Sequence, residues 1–242
     1  PTLADGVTLI IGTGIANAIN LSSIAGTADG ATSNLTINTT GAVTVSSTIS
    51  TDIGTVTITN SGGTTFSGAV SAASLTITST TANNTVTFGG NLTLTTGMTV
   101  SAGSAAYNVA INGGSNTIAG ATTFANTGTV TLGNGSDTIA FTGGVVATAP
   151  TAITVNGTIT AAGTGVITLG DSNTALTIGG TSTIGSTSTG TITTGAINLN
   201  NNLTLGAGAA TPISLTTVTG PLSGSANLTI NTTGAVTVSG AI

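Results

Sequence analysis

Apolar and hydroxyl-bearing residues alternate along this chain in short bursts. Leu35-Thr-Ile37, Val43-Thr-Val45, Val56-Thr-Ile58, Leu75-Thr-Ile77, Val86-Thr-Phe88 and Leu92-Thr-Leu94 share one pattern. Val130-Thr-Leu132, Ile153-Thr-Val155, Ile167-Thr-Leu169, Leu176-Thr-Ile178, Leu203-Thr-Leu205 and Val236-Thr-Val238 continue it. A period of two puts the apolar residues on one side of an extended strand and the Thr on the other. Gly-Gly, Asn-Gly, Ser-Gly and Asn-Asn pairs separate the bursts and mark turns. No window places apolar residues at helical spacing, so the pattern predicts an all-β chain.

The spacing of the bursts selects the kind of β architecture. Val109-Ala-Ile111 precedes Val130-Thr-Leu132 by about 21 residues, and steps of similar size join Leu35 to Val56, Val56 to Leu75, Ile153 to Leu176 and Leu176 to Ile197. The 109–111 alignment extends forward: Gly114-Ser-Asn-Thr-Ile118 matches Gly135-Ser-Asp-Thr-Ile139, and Phe124 matches Val145. Two or three short strands per period of about 21 residues predict a parallel β-solenoid, each coil stacking like residues on like. About eleven coils at about 4.8 Å each would give a rod on the order of 50 Å long. A sandwich or up-and-down barrel would need hairpins and larger core residues, and a transmembrane barrel would need aromatic girdles. Pro1, Pro150, Pro212 and Pro221 fall where strands start or turn. No linker or shift in composition divides the chain, so residues 1–242 are expected to form one continuous solenoid.

A longer period overlies the short one. Residues 34–49 read NLTINTTGAVTVSSTI and residues 227–242 read NLTINTTGAVTVSGAI, differing only at Ser47/Gly240 and Thr48/Ala241. Upstream, Ile19-Asn-Leu21-Ser-Ser-Ile24 matches Ile213-Ser-Leu215-Thr-Thr-Val218, and Leu9 with Ile11-Gly-Thr-Gly matches Leu203 with Leu205-Gly-Ala-Gly. Residues 1–49 thus resemble 195–242: the chain is one super-repeat of about 193 residues and the beginning of the next.

The runs NLTINTTGAVTVS, VTITNSGGTTFSGAV and LTITSTTANNTVTFGGNLTL resemble the repetitive passenger regions of large bacterial surface proteins of the filamentous-haemagglutinin and autotransporter type. The similarity extends over the whole chain as a style and a period. It implies a right-handed parallel β-helix, export to the cell surface, and a role in adhesion, matrix or filament formation. It carries over no catalytic residue.

Composition narrows the function classes. The chain has no Lys, Arg, His, Cys or Trp, and its only charges are Asp5, Asp29, Asp52, Asp137 and Asp171. Without a basic residue it has no electrostatic means of holding nucleic acid or an anionic membrane surface. No apolar run is long enough for a transmembrane helix, and the first residues lack the basic start of a signal peptide. The recurrence of Val, Ile and Leu and a positive mean hydropathy of +0.53 argue against disorder. General acid, base and nucleophile roles lack residues: there is no Glu, and no base stands ready to activate a Ser or Thr. No enzymatic activity is expected.

Two motifs remain as candidate sites. Leu132-Gly-Asn134-Gly-Ser-Asp137-Thr-Ile139-Ala matches the calcium-binding nonapeptide G-G-x-G-x-D-x-U-x except at its first position. Asp137 and Asn134 are therefore a candidate half-site for calcium. A complete site needs the pattern on successive coils, and the matching position one coil earlier is Asn116, so the competing reading is a capped turn. Asp171 in Gly-Asp-Ser-Asn173 has the same competing reading. The second motif is the array of alternate Thr, as in Thr55-Val-Thr57-Ile-Thr59, Ser74-Leu-Thr76-Ile-Thr78, Thr85-Val-Thr87 and Thr129-Val-Thr131. A flat face of such rows would suit ice or sugar binding; outward Thr is also the ordinary choice for an exposed strand. Asn-x-Ser/Thr at Asn34, Asn38, Asn83, Asn91, Asn134, Asn156, Asn202, Asn227 and Asn231 is read as turn chemistry rather than as glycosylation sites.

The sequence reading is thus an extracellular or cell-surface structural fibre whose principal partner is itself, head to tail or laterally. A Thr-rich module binding ice or surface glycans, and the stalk of one giant adhesin, stand as alternatives.

Overall fold

The computed structural model describes residues 1–28, 30–50, 52–185 and 187–242. Among these there is no helix: 28 short strands, all paired in parallel, wind through about 10 turns of a β-solenoid. Each coil lays one strand on each of three faces. The third face begins with Thr2–Leu3, the first with Thr8–Ile11 and the second with Ile19–Leu21, after which Ile24–Gly26 stands on the third face again. The next coil repeats the order with Ser33–Asn38, Val43–Val45 and Ile49–Ser50.

Strands this short follow from the bursts of alternation: three residues supply one inward pair and one outward residue before Gly or Asn turns the chain. Several longer strands run round a corner without a break. Val70–Ile77 and Leu92–Val100 join the third face to the first, while Thr129–Phe141 and Ala152–Thr160 join the second to the third. The ladder slips at each corner, between Ala72 and Ser74 and between Leu132 and Asp137. Gly157, at a φ of 117°, occupies the second corner; a Cβ there would meet the backbone oxygen of Asp137.

The core is a bundle of vertical ladders. On the first face Ile11, Ile37, Ile58, Ile77, Val100 and Phe124 stand in register. On the second, Leu21, Val45, Phe66, Phe88, Ile111 and Leu132 do the same. Parallel in-register pairing sets each residue above its counterpart, so Phe66 and Phe88 stack with centroids 5.0 Å apart and rings 6° from parallel. Phe124 and Phe141 come from different faces and instead meet edge-on at 6.1 Å and 85°. Burying each of these side chains contributes about 1.5–3 kcal/mol.

The coil is longer and less regular than the sequence period implies. Hydrogen bonds between consecutive coils span 21 residues at Asn34–Thr55, 24 at Asn91–Ser115 and 25 at Asn202–Asn227. One local alignment is corrected. Val109 does stand under Val130, but Ser115 pairs with Thr138 and Asn116 with Ile139, so Asn116 is not the counterpart of Asp137. Val145 likewise pairs with Thr122 rather than Phe124. Extra residues at the Leu132–Asp137 corner lengthen that coil; the shared Gly-Ser-x-Thr-Ile wording reflects similar turn chemistry, not shared register.

Candidate functional site

The sequence-predicted calcium half-site lies at that same corner. Asp137 is buried, and its Oδ2 accepts the backbone N–H of Asn134 at 2.6 Å. The carboxylate thus closes the Gly133–Ser136 turn on itself, and Asn134 faces it with an N–H donor rather than with an oxygen. One coil below, Asn116 fills an inward ladder position against Leu92 and Ile139. Its Oδ1 accepts the Leu92 amide at 2.9 Å and its Nδ2 donates to the carbonyls of Gly113, at 2.5 Å, and Thr138, at 3.2 Å. The two residues are not stacked as paired ligands.

The other described aspartates do local work as well. Asp171 Oδ1 accepts the amides of Asn173 and Thr174 at 2.8 and 2.9 Å, which is an Asx turn. Asp5 accepts the Thr27 hydroxyl. Asp52 holds a left-handed backbone at a φ of 59°. Asp29 lies outside the described residues. Among the described residues no three acidic, His or Cys side chains converge.

Asn side chains act mainly as rungs between coils. Asn34, Asn91 and Asn202 each accept, through Oδ1, an amide of the following coil, at 2.9, 3.0 and 2.9 Å. Asn156 Nδ2 donates to the Gly133 carbonyl at 2.9 Å. These contacts supply backbone partners at corners where the strand ladder is interrupted, and they account for four of the Asn-x-Ser/Thr positions structurally.

The outward Thr form the most extended surface feature. On the first face a column runs from Thr36 through Thr57, Thr76, Thr99 and Thr123 to Thr168, Thr193 and Thr237, interrupted by Val146 and Ser214. On the second face Thr44, Thr65 and Thr87 lead to Ala110 and then Thr131, Thr154 and Thr177. On the third face Thr158, Thr183, Thr204 and Thr229 form another. The hydroxyls therefore surround the rod instead of paving one side. A shallow groove of about 240 Å³ interrupts the wall beside Met98 and Val100, with Thr99, Thr123, Ala121 and Ala125 as its lining and no charged group.

The ends differ from the walls. Every first-face strand between Ser33–Asn38 and Ile213–Leu215 pairs on both sides, whereas Thr8–Ile11 and Val236–Val238 pair on one side only. The inward residues Leu9 and Ile11 are only partly buried in the first coil, and in the last Val236 is 43% and Val238 42% exposed. The second copy of the repeated stretch leaves Ile230, Val236 and Val238 partly uncovered, where the first copy buries the matching Ile37, Val43 and Val45.

Comparison with known proteins adds no relative: no protein-family model, curated protein or solved structure matches the chain. No helix among the described residues is long and apolar enough to cross a membrane.

Proposed function

We propose that this chain is a structural rod of an extracellular or cell-surface fibre, assembling with further solenoid of its own sequence. The observation that carries this reading is the unbroken stack of parallel, in-register coils with uncharged walls on all three faces. Thr, Ser and Asn cover three sides, and columns of Thr climb all three faces over a narrow core of Val, Ile, Leu and Phe. Because residues 34–49 recur almost unchanged at 227–242, the coil that packs on the first copy, Ile53–Asn60 with Thr64–Phe66, suits the second as well. The partner is therefore solenoid of this same sequence, either a second copy docked head to tail or a further stretch of one longer polypeptide. The absence of Lys and Arg supports the role, since it leaves trypsin-like proteases no cleavage site and keeps long flexible side chains off the walls. The sequence resemblance to bacterial surface fibres points the same way.

Electron microscopy of the native material, paired with denaturing mass spectrometry, tests the reading. Filaments built of 22.6 kDa chains would establish a self-assembling subunit. Filaments of a much heavier polypeptide would establish the stalk of a giant surface protein. Isolated rods that neither lengthen nor bundle would overturn the fibre reading.

A second reading, a module that binds ice or glycans, draws on the long Thr column of the first face. The spread of Thr columns over all three faces favours the structural role, because a recognition face would be one-sided. Ice-recrystallisation and glycan-binding assays on the purified chain decide it: activity abolished by Thr76→Val and Thr99→Val together would favour recognition.

A further inference from the structure

The two copies of NLTINTTGAVTVS do not lie on the same face of the rod. In the first copy Leu35 and Ile37 belong to the first face, above Leu9 and Ile11. In the second, Leu228 and Ile230 belong to the third face, above Leu203 and Leu205. The neighbouring segments move with them. Val43 and Val45 are on the second face and their copies Val236 and Val238 on the first, above Ile213 and Leu215. Ile24 is on the third face and its copy Val218 on the second, above Ile197. All the matched segments are thus displaced by one face in the same sense.

The displacement follows from counting. Nine steps up the first face lead from Leu35 to Val236. Leu228 comes one corner earlier along the chain, on the third face. The super-repeat of about 193 residues therefore advances about eight and two-thirds turns, not a whole number.

Resting on the rod reading above, we infer that super-repeats following one another in a fibre are each set round by one face. Any outward patch then reappears on all three sides in succession, about 42 Å apart along the axis, and returns to its first side after three super-repeats, about 125 Å. The coil that covers residues 227–242 is, on this arrangement, a copy of the one that covers 34–49. That coil carries Ile53–Asn60 and Thr64–Phe66. A whole-number repeat would instead bring every copy of a given patch back to the same side.

The test extends the full chain after Ile242 with two further copies of residues 50–242. It places a gold-labelled cysteine at Thr36 and at each of its counterparts, beginning with Thr229. Electron micrographs of single rods are expected to show labels on successive sides, turned by about a third of a revolution at each step. Labels in one straight line on an extended rod would overturn the inference while leaving the rod reading intact; failure of the extended chain to form rods would count against that reading instead. Disulfide trapping in the 242-residue chain keeps the inference decidable in that case. Thr204→Cys with Thr229→Cys is expected to cross-link readily, because in-register neighbours lie within disulfide reach. Efficient cross-linking of Ser214→Cys with Thr229→Cys, placing the second copy on the first face, would overturn it.

Discussion

At the residue scale, the tightest constraints fall on the few polar groups inside the ladders. Thr122 occupies an inward position in register with Val145, and its Oγ1 is buried without a hydrogen-bond partner. Thr122→Val keeps the shape and removes the unpaired hydroxyl, so it is expected to stabilise the fold by about 1 kcal/mol, read as a higher denaturant midpoint. Tyr107 is the opposite case. Its phenol is buried and donates to the Ser101 carbonyl at 2.6 Å, and burial pushes its pKa above the ordinary 10.0. A phenol whose folded pKa is raised contributes stability that is fully present below the unfolded pKa and is lost as pH rises beyond it. Stability is therefore expected to hold through neutral pH and to fall above about pH 10. Tyr107→Phe should cost about 1 kcal/mol near neutrality and abolish that alkaline fall. With no Lys, Arg or Cys in the chain, a fall that survives Tyr107→Phe would refute the assignment.

At the element scale, corners decide more than strands. The strand bursts are nearly interchangeable, but the bends between faces demand particular backbone. Gly157→Ala would set a Cβ against the Asp137 carbonyl in a left-handed conformation, and is expected to destabilise by more than about 1 kcal/mol. Gly135, in the facing coil, has open space around it and no positive φ. Gly135→Ala is expected to be neutral or to stabilise by up to about 1 kcal/mol. Equal losses in thermal unfolding from the two substitutions would show that the corner does not depend on Gly157. The same corner accounts for Asp137. Its pairing with the Asn134 amide follows from the extra residues there, and the nonapeptide-like wording marks a tight turn.

At the scale of the whole molecule, stability is shared between neighbours along the axis, as in other solenoids. The duplicated stretch provides an internal control, because residues 34–46 and 227–239 have identical side chains and so nearly identical intrinsic exchange rates. The first copy is buried between two coils; the second has only one. Amide hydrogen exchange is expected to be at least about tenfold slower for Leu35–Asn38 than for Leu228–Asn231. Capping the second copy with residues 50–66 should bring the two rates together. Rates already equal in the 242-residue chain would mean that the open end is covered in solution.

Much of this was legible in the sequence. Alternation with Thr specified strands, a period of about 21 residues specified stacked coils, and the near-identity of 34–49 and 227–242 specified a super-repeat. These signals are local, carried by side-chain periodicity and turn residues, and so survive without coordinates. Register was not legible. Asn116 falls on Ile139 instead of Asp137, and Leu228 on a different face from Leu35, because each corner adds or drops a residue without disturbing the wording of the strands. The candidate sites depended on that register, since a calcium pair needs ligands stacked on successive coils and a recognition surface needs Thr gathered on one side. The sequence by itself determined what each strand buries and what it shows. Which strand stands on which, and therefore which face each outward residue joins, was decided only by the accumulated lengths of the corners in the folded chain.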